Sequence, residues 1–216
     1  MSRFVVLLGP DGAGKSTLLR ELAALRAGLV TTALDPLAVY GLPGLAETVP
    51  WAGRTHPREV IWDLPAHTRT TLLAHVLAVS HDLYLAPALR AGGLVVCDSY
   101  DYRYRAKERV LDPATSVLLE SLAATLPRPE LAVWIDVPME VAWRRNGGRC
   151  SRFEGGPRAD YPGFERLQEQ VKEIILSELL DGCPIVRLDG LREPAELARD
   201  CLAAIDPVPT AKGGGH

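Results

Sequence analysis

Residues 3–22 read RFVVLLGPDGAGKSTLLREL, and their order decides the fold. Phe4, Val5, Val6, Leu7 and Leu8 follow one another without a polar break. Such a run suits a central parallel strand, covered on both faces, better than an edge strand of alternating polarity. Gly9 then opens the pattern G-x-x-x-x-G-K-S, which closes at Ser16, and Thr17 to Leu22 continues with helical spacing. A strand, a glycine loop and a helix in immediate succession is the context that a phosphate-binding loop requires.

The chemistry follows from the residue types. Glycines at 9, 12 and 14 let the backbone come close to a polyphosphate and turn its amides inward. A helix beginning near Lys15 adds uncompensated N–H groups and the favourable end of its dipole. Lys15 can reach the outer phosphates and the Ser16 hydroxyl can hold magnesium, with Asp11, Ala13 and Thr17 completing the loop 9–17. The plain structural alternative is a tight glycine turn without a ligand, and the complete motif favours the phosphate. By itself the motif does not separate a kinase from a GTPase or a motor.

Working outward, the chain of 216 residues is long enough for one sizeable core, and residues 1–206 read as one domain. Residues 207–216 read as a flexible tail. Apolar residues make up 47% and charged residues 24%, a mixture typical of soluble globular chains. A formal net charge of -3 argues against a broad nucleic-acid footprint while permitting local cationic pockets. Cys97, Cys150, Cys183 and Cys201 show neither CxxC spacing nor metal-ligand clustering, which points to a reducing cytoplasm. No signal peptide is readable. His75, His81, Asp82 and Arg90 interrupt the apolar stretches, which argues against a membrane span.

Leu29–Leu34 is expected as a second strand, and residues 37–58, with Trp51, as an acceptor-pocket rim or a surface crossover. A long helical region is expected over residues 58–90, with Pro65 as a possible break. Leu94–Cys97 reads as a buried strand finishing in Asp98. An acid at the carboxyl end of a parallel strand lies where open α/β sheets bind ligands, so Asp98 is a candidate water-mediated magnesium partner. Further strands are expected at 131–137 and 183–189, and helices at 161–180 and 193–205. Five strands separated by helices predict a parallel sheet covered on both faces. Between them, RRNGGRCSRF at 144–153 sets Arg144, Arg145, Arg149 and Arg152 around Gly147 and Gly148. A glycine-hinged arginine loop can close over a transferring phosphoryl group as a lid spanning about 144–160; a solvated basic turn is the alternative.

The whole order resembles the thymidylate kinase family of P-loop kinases. The resemblance rests on GPDGAGKST, CDSY at 97–100, IDVPMEVAWRR at 135–145, the arginine-rich segment and LDG at 188–190. It implies an α/β P-loop NTPase fold with a five-stranded parallel sheet, and ATP with magnesium as the donor. It also implies phosphoryl transfer to a nucleotide acceptor in the cytoplasm. Family members commonly pair as homodimers through helices, which would suit the apolar stretch 72–89. The implied catalytic set is Lys15, Asp35, Asp98, Arg145, Arg149 and Arg152, with Ser16 and Asp98 at the metal.

The chain also departs from the family pattern. Leu34-Asp35-Pro36 stands where the family has arginine-glutamate-proline, and Asp98-Ser99-Tyr100 where it has aspartate-arginine-tyrosine. An ungapped match backward from Pro87 puts Leu77 at the arginine associated with thymine recognition and Val79 at a neighbouring glutamine. The three arginine contacts, at Leu34, Ser99 and Leu77, are thereby lost, which argues against ordinary thymidylate as the acceptor. Asp35, Tyr100, Arg103 and Arg105 are the remaining acceptor-side candidates. Arg103 and Lys107 share one helical face, and Arg105 and Arg109 another. The rival readings are a kinase of a nucleoside or small metabolite, and a catalytically weak ATP-binding regulator. Asn146 is the only asparagine, so no asparagine-lysine-x-aspartate guanine motif exists.

Overall fold

The computed structural model describes residues 3–33 and 64–206. Five strands form one parallel sheet: β1 (Arg3–Leu8), β2 (Val30–Ala33), β3 (Leu94–Asp98), β4 (Leu131–Asp136) and β5 (Ile185–Asp189). Their spatial order is β2-β3-β1-β4-β5, so β1 lies at the centre. The period of two in a strand divides its apolar run between two cores. Phe4, Val6 and Leu8 join one cluster with Leu73, Leu77, Tyr104 and Leu167. Val5 and Leu7 join the other with Leu18, Leu22, Leu197 and Cys201. The uninterrupted apolar stretch is thus explained by burial on both sides, as the sequence implies.

Helices connect the strands: α1 (Lys15–Leu25), α2 (Ala66–Ser80), α3 (Tyr102–Leu111), α4 (Pro113–Ala123), α5 (Met139–Arg145), α6 (Arg152–Gly155), α7 (Tyr161–Ile174) and α8 (Pro194–Ile205). The described part of the expected 58–90 helix begins just after Pro65, whose φ of -53° and ψ of 146° are not helical. It continues past α2 through a π turn, His81–Leu85, into a last helical stretch, Ala86–Ala91. Pro87 follows that turn. Its missing N–H and its ring both disturb the ordinary α ladder, and the wider turn accommodates them. By length and composition the run Ala66–Ala91 could cross a membrane; here Leu73, Val76 and Leu77 are fully buried in the fold. A second π turn, Ile175–Leu179, extends α7 over most of the helix expected at 161–180.

Helix α4 is additional to the helices expected from spacing. Its start is nonetheless written in the chain: the Asp112 carboxylate accepts from the Thr115 amide at 3.2 Å, and Pro113 occupies the first turn. Leu7 pairs in register with Asp98 on one side and Val133 on the other. The strand-terminal Asp98 therefore reaches the same end of the sheet as the glycine loop that follows Leu8.

Candidate active site

The loop after β1 owes its shape to glycines in the left-handed region. Gly12 has φ 86°, and a Cβ there would lie 2.2 Å from the Ala142 carbonyl oxygen of α5. Gly14, at φ 94°, occupies the cap position of α1, where a Cβ would meet open space. Among the described residues no side chain caps α1, and no acid lies in its first turn, so the positive end of the helix is open to an anion. Lys15 is buried and donates to the carbonyls of Gly9 and Pro10 at 3.0 and 2.9 Å.

These groups open onto a cavity of about 600 Å³. Asp11, Gly12, Ala13, Gly14, Lys15, Ser16 and Thr17 line it, joined by Asp98, Arg103 and Arg145 from three other segments. The structure thus brings together most of the loop, the strand-terminal acid and one lid arginine. Arg145 donates to the Gly190 carbonyl at 2.9 Å, which ties α5 to the turn after β5. Arg149 and Arg152 are exposed beyond α5 and at the start of α6, outside the cavity lining. Asp35, with Leu34 and the whole segment around Trp51, lies outside the described residues.

The donor set fits a magnesium nucleotide. An uncapped helix end and an open glycine turn suit phosphate oxygens. Ser16 and Asp98 offer hard oxygen ligands to a metal that keeps several waters and takes its remaining ligands from phosphates.

At the end of β3 the backbone turns abruptly. Ser99 and Tyr100 have φ of 61° and 44°, a conformation that costs free energy in any residue with a Cβ. The turn is held by Ser99 N–H donating to the Leu7 carbonyl at 2.8 Å and Ser99 Oγ donating to Asp98 Oδ1 at 2.6 Å. Tyr100 packs edge-on against Phe4 with ring centroids 5.1 Å apart. Tyr100 and Arg105 line a separate cavity of about 180 Å³ rather than the loop cavity. Arg105 binds Asp101 at 2.7 Å and Glu120 at 2.5 and 2.8 Å.

Asp11 is the hub of a buried network. Its carboxylate accepts from Lys107 Nζ at 2.9 Å, Gln168 Nε2 at 3.0 Å and Arg103 Nη1 at 3.1 Å. Its amide donates to Gln168 Oε1 at 3.0 Å. Burial opposes the charge on Asp11, yet Lys107, Arg103 and Lys15 outweigh it and hold the carboxyl well below the usual carboxylate range. Lys107 also lies 4.4 Å from the centroid of the Phe153 ring, and Gln168 Nε2 donates to the Glu154 carbonyl at 3.1 Å. The network therefore joins the loop to α3, α6 and α7. Gln168 is not among the sequence candidates, although it carries a signal: it interrupts the apolar stripe Phe164, Leu167, Val171 on the buried face of α7.

No family model matches the chain. Individual relatives do. A thymidylate kinase of Pseudomonas putida is 34% identical over 94% of this chain and 96% of its own length. One from Alcanivorax borkumensis is 34% identical over 77% of this chain and 79% of its own. One from a Synechococcus strain is 33% identical over 78% and 85%. Identity at that level, sustained over most of both chains and joined to a five-stranded parallel P-loop fold, places this chain in the thymidylate kinase family of ATP-dependent phosphotransferases.

Proposed function

We propose that the protein moves the γ-phosphoryl group of ATP, with magnesium, to a nucleotide-like acceptor other than ordinary thymidylate. The observation that carries this reading is the single cavity shared by loop 11–17, Asp98, Arg103 and Arg145. An acceptor oxygen forms the new bond to the γ-phosphorus as the bond to the β–γ bridging oxygen breaks, and ADP departs. The loop amides and Lys15 hold the donor phosphates, and Ser16 and Asp98 provide oxygens for magnesium. Arg145 is poised beside the transferring group; Arg149 and Arg152 join it as the lid closes. Asp35 orients the acceptor in this reading.

Acceptor choice draws its support from the altered positions. Ser99, in place of an arginine, is bound to Asp98. Leu77 is fully buried in the core beside Leu73. A π turn carries one residue more than an α turn, so the match counted back from Pro87 can shift to Val76, which is also fully buried. Neither position offers a polar contact to a base. The working unit is a cytoplasmic homodimer packed through the helical run Ala66–Ala91, where Leu83 and Tyr84 of the π turn are exposed.

A transfer screen with ATP–magnesium, the deoxynucleoside monophosphates, the nucleosides and other small phosphorylated metabolites tests the reading. Transfer to a nucleotide other than thymidylate is expected. Thymidylate turnover exceeding that of every other acceptor would overturn the acceptor assignment, and no transfer at all would overturn the kinase reading. Lys15→Ala is expected to lower kcat by roughly 10²-fold or more in a chain whose circular dichroism is unchanged; near-normal turnover would remove Lys15 from the mechanism.

A further inference from the structure

Asp11 has more cationic partners than one carboxylate needs. Lys107 is 1% exposed and sealed between Asp11 and the Phe153 ring. With Gln168 it already fills one oxygen of Asp11, Oδ2. Arg103 reaches the other oxygen from one helical turn earlier. Unlike Lys107, it is 21% exposed and lines the 600 Å³ cavity together with Lys15 and Asp98. Among the described residues its buried Nε has no acceptor. Lys107 is the sealed cation of Asp11, and Arg103, which also lies 5.5 Å over the Tyr104 ring, is the one that faces the cavity.

We infer that Arg103 is an exchangeable cation: it releases Asp11 to bind the anionic group of the acceptor, while Lys107 and Gln168 hold Asp11 in place. This rests on the phosphotransferase reading and narrows it, because such a site selects an anionic acceptor over its uncharged counterpart. A guanidinium suits the task. It can keep one N–H edge near a carboxylate while presenting another to phosphate oxygens. Lys107 is then a positioning residue that keeps the loop aspartate neutralised when the arginine has moved.

The test is calorimetric binding to the full chain loaded with magnesium and a non-hydrolysable ATP analogue. Each deoxynucleoside monophosphate is titrated beside its own nucleoside. The tightest monophosphate is expected to bind at least about tenfold better than its nucleoside. Arg103→Ala is expected to abolish that preference while the affinity for the ATP analogue stays within about twofold. Arg103→Lys, which keeps the charge and removes the fork, is expected to retain part of it. Equal binding of monophosphate and nucleoside by the unaltered chain would overturn the inference. So would a preference that survives Arg103→Ala, or an equal loss of ATP-analogue affinity in that variant. Turnover is measured separately: a charge preference without transfer would sink the kinase reading and leave the Arg103 assignment standing.

Discussion

Helix α3 carries four cations on two faces, and the faces do different work. Arg103 and Lys107 meet one carboxylate, Asp11, which belongs to the phosphate loop. Arg105 and Arg109 meet three, Asp101, Glu120 and Glu178, none of which lies on that loop. Exposure does not separate the arginines, since Arg103 at 21% falls between Arg105 at 17% and Arg109 at 27%. Stoichiometry does. The first face sets two cations on one loop carboxylate at the edge of a cavity, where the anion assigned to Arg103 would enter. The second is already balanced by acids and holds helices together.

The comparison breaks most sharply at Lys107. Lys107→Met leaves the buried Asp11 carboxylate to Arg103 and Gln168 alone and is expected to destabilise the fold by about 1–3 kcal/mol in urea unfolding. Combining it with Asp11→Asn removes the buried charge that has lost its closest cation and should recover part of that loss. An equal loss in both variants would mean that packing of the lysine stem, rather than charge, carries the effect.

Acid titration sharpens the same face. The folded-state value of Asp11 lies well below its ordinary 3.8, so on acidification the unfolded chain takes up this proton first. The stabilisation is complete above about pH 4 and is lost as the pH falls below that value toward the depressed one. Asp11→Asn should flatten this part of the stability curve, and an unchanged acid limb would contradict the role of Asp11 as the charged hub.

On the opposite face the effects should be smaller and confined to stability. Arg105→Ala strands the buried Asp101 and is expected to cost about 1–2 kcal/mol while kcat/KM stays within about twofold. Arg109→Ala removes more exposed pairs and should cost about 0.5 kcal/mol or less. A large fall in kcat/KM in either variant would erase the distinction between the faces.

The sheet and its loop were legible because each part has a local cause. Phe4–Leu8 is apolar on both parities, Gly12 and Gly14 permit backbone that other residues resist, and Asp98 ends its strand where a ligand cleft forms. Helical spacing also grouped Arg103 with Lys107 and Arg105 with Arg109. What it could not supply is which group meets the loop, because that depends on the rotation of α3 against a segment some 90 residues away. The left-handed turn at Ser99 and Tyr100 is hidden for a different reason: neither residue type favours it, and tertiary contacts impose it. The π turn before Pro87 holds one residue more than an α turn, which a helical count along the sequence does not register.

Gly12 serves two surfaces at once. The atom that forbids it a side chain is the Ala142 carbonyl oxygen of α5, the helix that ends in Arg145. Any replacement must push that helix before it disturbs a nucleotide. In a saturation screen scored by turnover, every exchange at this position would register as damaged phosphate binding. Much of the injury would instead be architectural, a displaced neighbour carrying its guanidinium out of reach. A compensating change that lets α5 retreat would therefore restore the fold and leave the enzyme slow.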